Sequence, residues 1–302
     1  MNYRLKKQPV SASELAEFLE TVLMGEDFLV YLPGEFSDGR LHVFSYIESI
    51  EDFSRISLSN ADSVLLIIRP EIEVDHRITR IISDNPKLDF IKIVENFYLE
   101  KISNTRSATS RIDCNADIGD NVHVGEYSII GPDVMIGDNS IIANNVVIHG
   151  RVVIGQNCIV KDNTTIGSVG FEFAYDELNI PVTFPSIGKI VIEDNVMIGS
   201  VTSIESPALK NTIIKENVKI DDLVQVGAGT IIHKNSIVSS GVVLCRDVTI
   251  MDKVVIGPGS IIKDGLLVNC NSLIGIGSVV VSDIEKDSVV AGNPAKVLRM
   301  GR

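Results

Sequence analysis

Tryptophan is absent from the 302-residue sequence, and aromatic residues make up only 5% of it. Apolar character comes mainly from isoleucine and valine, which favours strands over helices. Basic residues are also short: 27 Lys and Arg stand against 40 Asp and Glu, a formal net charge of −13. Such a chain has no general attraction for nucleic acid or an anionic bilayer, so neither is expected as a partner, although a local basic pocket for a phosphorylated ligand is compatible with it. No apolar run approaches the roughly 20 residues needed to span a membrane. The opening MNYRLKKQPVSASELAEFLE carries early positive charge with no apolar segment behind it, unlike a secretory signal, and a cytoplasmic chain is expected. The four cysteines, Cys114, Cys158, Cys245 and Cys270, form no CxxC pair, which argues against a zinc knuckle or a thioredoxin motif and for reduced thiols.

What the chain does have is a period. Stepping by six from Ile112 meets Ile118, Val124, Ile130, Ile136, Ile142, Ile148, Ile154, Val160 and Ile166. After a break the register returns at Ile192, Ile198 and Ile204, slips by four residues, and runs without fault from Ile214 to Val280. The position four after each aliphatic is small or β-branched almost throughout, with Leu266 the bulky exception. Glycine often follows the aliphatic, and turn formers such as Asp138-Asn139 come next. One large and one small inward residue per six describe a short strand and a corner. Three such sides close a triangular coil whose turns stack about 4.8 Å apart. The expected architecture is mainly β: a parallel β-helix over 106–285, interrupted by a loop at 167–191, with a tail at 286–302.

Residues 1–105 lack the period and read as a small α/β domain. Ser11 and Glu14 form an S-x-x-E capping box that predicts a helix to about Met24. Ser63 to Ile68 reads as a buried strand ended by Arg69-Pro70. Asn85-Pro86 opens a second helix, with Leu88, Phe90, Ile91, Val94, Phe97 and Tyr98 as its apolar face. The polar stretch Ser103 to Ser110 marks the boundary.

The hexapeptide pattern resembles that of the left-handed β-helix acyltransferases, and within them the UDP-3-O-acylglucosamine N-acyltransferase family of lipid A synthesis. Three stretches carry the closer likeness: Asn85 to Phe90 with Phe97, Ile166 to Ala174, and Ile220 to Val226. The left hand of the coil comes from this resemblance, since spacing alone shows only a coil. Departures are as informative. Where that family has a histidine two residues beyond a Gln-aliphatic pair, this chain has Ala228, and a second family histidine aligns near Asp264-Gly265. The segment that holds uridine in the family looks shortened between Phe53 and Ala61. The ending Val290 to Val297 resembles instead the coenzyme A-dependent acetyltransferases that modify sugars. Together these imply a relative that takes acyl-coenzyme A as co-substrate, with no bound cofactor, and acts on a different nucleotide-linked amino sugar of a surface polysaccharide such as an O-antigen.

Every third hexad shares a column, and both interruptions leave from the column of Ile112, Ile130, Ile148, Ile166, Ile204, Val226, Leu244, Ile262 and Val280. Loops extruded from one edge of a rigid scaffold usually build a site there. The long loop concentrates Phe171, Phe173, Tyr175 and Phe184 in a chain poor in rings, together with Glu172, Asp176 and Glu177; the shorter interruption spans about Glu205 to Ile213. Phe171, Phe173 and Tyr175 are candidates to cover a nucleotide or sugar, or else pack the loop on the coil or a neighbour. His149 lies on the same edge, so His149 with Glu172 or Asp176 is the candidate proton-handling group; a turn histidine is the alternative. Gly227 and Ala228 would let a thioester approach the backbone, and the likeness of the ending to the coenzyme A-dependent acetyltransferases implies that Asn293, Lys296 and Arg299 meet the donor, a cation on its phosphates. His42 and His76 read as surface residues, His123 as outward-facing.

Acyl transfer to an amine needs a proton acceptor and an oxyanion donor. Three functions compete: a nucleotide-sugar N-acyltransferase, including the lipid A type; an inactive scaffold or binding relative, suggested by the missing histidine; and a metal hydrolase of the carbonic anhydrase type. The last would need converging histidines, whereas His149 and His233 fall on different edges, so no metal is expected. Apolar outward residues, Val153, Val191, Ile213 and Val255, together with the family likeness, imply a homotrimer.

Overall fold

The computed structural model describes residues 4–6, 8–34, 42–49, 51, 64–100 and 105–301. They belong to two compact units, 2–102 and 103–302.

In the smaller unit, the apolar run Val64–Ile68 lies inside a five-stranded sheet, flanked in parallel by Val43–Ile47 and Thr79–Ile82. Leu65 to Ile68 are buried on both faces, which is why the run is apolar rather than alternating. Helix α1, Ala12–Phe18, starts where the capping residue Ser11 accepts the Glu14 N–H at 3.1 Å. It stops well before Met24. Glu20 takes a left-handed φ of 54°, the Thr21 N–H returns to the Ala16 carbonyl, and Leu23–Met24 becomes an edge strand of the sheet. Helix α2, Pro86–Ile93, is capped by Asn85 and runs into a wider turn, Val94–Tyr98. Its inner face is Phe90, Ile93, Val94, Phe97 and Tyr98, whose hydroxyl donates to the Val30 carbonyl. Leu88 and Ile91, expected on that face, are exposed, being roughly 200° and 100° of helix rotation away from Phe90. The uridine-like segment between Phe53 and Ala61 lies outside the described residues, as does Ser63. His76 is exposed, but His42 is half-buried, set edge-on against Phe28 and Tyr31 with its Nδ1 unpartnered.

The larger unit is the coil. Its strands fall on three parallel faces: a first of nine, from Arg111–Ile112 to Val279–Val280; a second of eight, from Asp117–Ile118 to Leu267–Val268; and a third that begins at His123–Val124 and receives the tail. The strands of the first face contain the expected column, Ile112 to Val280, in order. From Val124 onward the inward aliphatics are almost wholly buried; Ile112 and Ile118, at the start of the stack, are half-buried. The small inward residue at each corner is frequently Ser or Thr for a physical reason. Ser128, Ser140, Thr164, Ser236 and Ser260 each donate their hydroxyl to a carbonyl of the next coil, so a buried polar group is satisfied while the corner stays tight. The third residue after each aliphatic usually has positive φ, and asparagine often fills it, as at Asn121, Asn139, Asn145, Asn157, Asn163 and Asn195. Asparagine tolerates that conformation best among residues with a side chain.

The tail finishes the coil. Ser288–Ala291 adds in parallel to Leu273–Ile274 on the third face, and Lys296–Met300 turns back antiparallel on it.

Candidate active edge of the coil

Both insertions leave the corner between the first and second faces. The long one departs after Ile166 and returns at Lys189–Ile192; the short one departs after Ile204 and returns at Asn211–Ile214. They are tied to each other. The Gly170 N–H donates to the Ser206 carbonyl at 3.2 Å, the Ile187 N–H to Ala208 and the Gly188 N–H to Pro207, each at 3.0 Å. Beyond this anchor the long loop forms a two-stranded ribbon, Phe173–Tyr175 against Pro181–Thr183.

The loop leans toward the C-terminal coils. A Cβ placed on Gly170 would lie 2.9 Å from the Ala228 Cβ. The Glu172 carboxylate reaches to 4.0 Å from the Arg246 guanidinium. His149 sits lower on the column, one rung below the loop's departure: it lies directly under Gly167, where an added Cβ would meet its own at 3.0 Å. From the His149 rung to the Arg246 rung is four coil steps, about 19 Å at normal strand spacing. The structure therefore does not bring His149 and Glu172 together, and His149 is exposed, with its backbone in the ordinary ladder to Ile166. Asp176 has another occupation: its carboxylate accepts the N–H groups of Leu178 and Ile180, both at 2.9 Å, and so closes the ribbon's tip.

Phe171, Phe173 and Tyr175 line one side of the ribbon as an edge-to-face series, centroids 5.4 and 5.6 Å apart, and all three are exposed. Gly227 and Ala228 lie on the edge, but their N–H groups are committed, that of Gly227 to the Leu244 carbonyl and that of Ala228 to Glu205. Ala228 is only 5% exposed beneath Gly170, so the open approach expected for a thioester at this turn is roofed by the loop. In the tail, Gly292 and Ala295 pair with Val279 at the last rung of the first face, which sets the exposed Asn293 above the same column. Lys296 and Arg299 continue onto the third face and are exposed there.

The side chain that the edge organises most closely is Glu205, the first residue of the short insertion. One carboxylate oxygen accepts the Gln225 amide at 3.1 Å, the other the Ala228 N–H at 3.3 Å. Its own carbonyl accepts the Thr212 hydroxyl, which in turn accepts the Gly229 N–H, both at 3.0 Å. Nothing in the six-residue period distinguishes Glu205, since outward corner positions are free of it; only its place at the mouth of the insertion pointed there. Two rungs above, burial pushes the Cys245 thiol up, with the negative charges of Asp264 and Glu205 adding to it. Lys210, from the short insertion, is held charged by its 2.9 Å hydrogen bond to Asp247. On the first strand of the third face, His123 is partly sheltered; burial lowers its pKa, and Thr105 meets its Nδ1 at 2.6 Å. Among the described residues no group of His, Cys, Asp and Glu is arranged to hold a metal ion, and no helix is long and apolar enough to cross a membrane.

A parallel β-helix of hexapeptide turns, with a covered edge built from two insertions, defines the hexapeptide-repeat acyltransferase class. The family model described as bacterial transferase hexapeptide (six repeats) matches residues 115–150, 133–168 and 211–246. Relatives named UDP-3-O-acylglucosamine N-acyltransferase include one from Helicobacter pylori (strain HPAG1), 38% identical over 81% of this chain and 78% of its own length. Another, from Campylobacter lari, is 37% identical over 75% of this chain and 74% of its own. Among solved structures, the UDP-N-acetylglucosamine O-acyltransferase of Moraxella catarrhalis superposes with a TM-score of 0.59 over 65% of this chain and 74% of that one, at 21% identity, a likeness of fold. The chain belongs to the UDP-3-O-acylglucosamine N-acyltransferase family.

Proposed function

We propose that the protein transfers an acyl group from a thioester to the glucosamine amine of UDP-3-O-acylglucosamine. The observation that carries this reading is the 38% identity to relatives of that name across 81% of the chain, a span too long to lie within the coil alone. It takes precedence over transfer from acyl-coenzyme A to a different amino sugar, which rested on the tail and on Ala228. The thioester is already activated, so the edge has to exclude water, orient the amine and accept its proton. The exposed rings of Phe171, Phe173 and Tyr175 offer flat apolar surface for a sugar nucleotide or an acyl chain.

Donor identity is open to direct choice. Lys296 and Arg299 lie on the third face, away from the covered edge, which supports a donor that does not depend on them, such as an acyl carrier protein. A homotrimer fits the outward ladder Val153, Val191 and Ile213 on the second face, which would leave apolar surface wet in a monomer. The decisive assay offers UDP-3-O-acylglucosamine with acyl carrier protein or coenzyme A thioesters and follows amide formation by mass spectrometry. Turnover with this acceptor supports the reading. Turnover only with another nucleotide-linked amino sugar and acyl-coenzyme A would return the earlier one.

A further inference from the structure

We infer that Glu205 is the proton acceptor of the acyl transfer, an assignment that rests on the amine-acylating function proposed above. Acylation of an amine releases a proton that some group at the edge must take. Ala228 cannot, and His149 lies three rungs below the roofed turn at Ala228, about 14 Å at normal strand spacing, and two below Glu205. Among the acidic residues of the edge, most are already engaged. Glu172 faces Arg246, Asp247 binds Lys210, Asp264 accepts the Arg246 N–H, and Asp176 closes the ribbon's tip. Glu205 differs. It is half-buried, and among the described residues its carboxylate has no cationic partner. Its contacts are two N–H donors, Gln225 Nε2 and the Ala228 amide, which orient the carboxylate and leave each oxygen a further lone pair. The loop backbone closes over the group: a Cβ on Gly170 would stand 3.7 Å from the Glu205 Oε2.

The step balances without any other reactant. The neutral sugar amine attacks the thioester carbonyl carbon, forming the C–N bond as the carbonyl electrons move to oxygen. Glu205 takes one N–H proton. The oxyanion collapses, the C–S bond breaks, and the departing thiolate receives that proton from the Glu205 carboxyl. Amide and thiol leave, and the carboxylate is restored.

Glu205→Gln is close to isosteric. Its amide oxygen still accepts from Ala228, and its amide nitrogen can donate to a flipped Gln225, so geometry is kept while basicity is removed. The expected result is a fall in kcat of about 10²-fold or more, with KM for the sugar nucleotide changed by no more than about threefold. Glu205→Asp should retain an intermediate kcat, and added formate should restore part of the turnover of Glu205→Ala. Wild-type kcat in Glu205→Gln would overturn the inference. So would a loss equally deep in Glu205→Asp and unmoved by formate in Glu205→Ala, which would assign the residue to holding the loop. A failed function reading shows elsewhere, as wild-type protein that transfers nothing to UDP-3-O-acylglucosamine. A failed base assignment shows as wild-type turnover that survives the loss of the carboxylate.

Discussion

The Glu172 carboxylate stands 4.0 Å from the Arg246 guanidinium, not beside His149. That one relationship fixes the direction of the long loop. It leaves the coil one rung above His149 and lies over the turns that carry Ala228 and Arg246, which is where both insertions meet. An exposed pair at this distance contributes little to stability, so its value here is as a marker of position.

The first expectation follows from that direction. His149→Ala should keep kcat within about threefold of wild type, because a general base is worth about 10²–10⁴-fold and this imidazole lies three rungs below Ala228 on the edge. Steady-state rates on the cognate sugar nucleotide check it. A loss of about 10²-fold would restore His149 as the proton acceptor.

The coil was legible from sequence because its core repeats: Ile148, Ile166, Ile204 and Val226 each had to be aliphatic to stack, and the spacing alone assigned them to one face. The column also located the edge. Its chemistry was not legible, since Glu205, Gln225 and Thr212 are outward or corner residues that come together only when successive coils stack. The direction of an insertion has no periodic signature either: spacing sets Glu172 near His149, and the folded loop carries it to Arg246. Local turn chemistry hid the end of helix α1: Glu20, with no glycine beside it, adopts the left-handed turn that stops the helix.

Val201 carries a second prediction. It occupies the positive-φ corner position at 56°, where Asn163 stands on the rung below, and it is exposed. A β-branched residue is poorly suited to that conformation, which costs an L-residue roughly 1–2 kcal/mol relative to one that tolerates it. Val201→Asn should therefore stabilise the coil by about 0.5–1 kcal/mol. Chemical denaturation of the two proteins measures this, and a lower midpoint for Val201→Asn would refute it.

Cys158 gives a pH dependence with a definite sign. Burial pushes its thiol up to about 11 from an ordinary value of 9.0. In the unfolded chain the thiol ionises first, so the folded state holds more protons between these values. The stabilisation is whole below about pH 9 and is lost as pH rises toward 11, amounting to roughly 2–3 kcal/mol. Cys158→Val removes the group at similar volume. The stability gap between wild type and this variant should shift against wild type from pH 8.5 to pH 10.5, and a constant gap would contradict the burial argument.

The last prediction concerns the roof over Ala228. A side chain on Gly170 would press on the Ala228 Cβ at 2.9 Å and on the Ser206 carbonyl at 3.0 Å, and the second of these is backbone that cannot swing aside. Gly170→Ala should therefore lift the loop from the short insertion and break the Gly170 to Ser206 hydrogen bond. Overpacking of this kind costs about 1–3 kcal/mol. Because the strain falls on an insertion rather than on the stacked core, it should appear as local opening: faster proteolysis within 170–188 and faster amide exchange at Gly170 and Gly188. The melting of the coil itself should change little. Ala228→His, which installs the residue that the family resemblance places there, meets the same backbone from the other side and should open the loop in the same way. If the imidazole enters with no change in proteolysis or exchange, the contact between Gly170 and Ala228 is not a roof, and the edge has room for a larger side chain at 228.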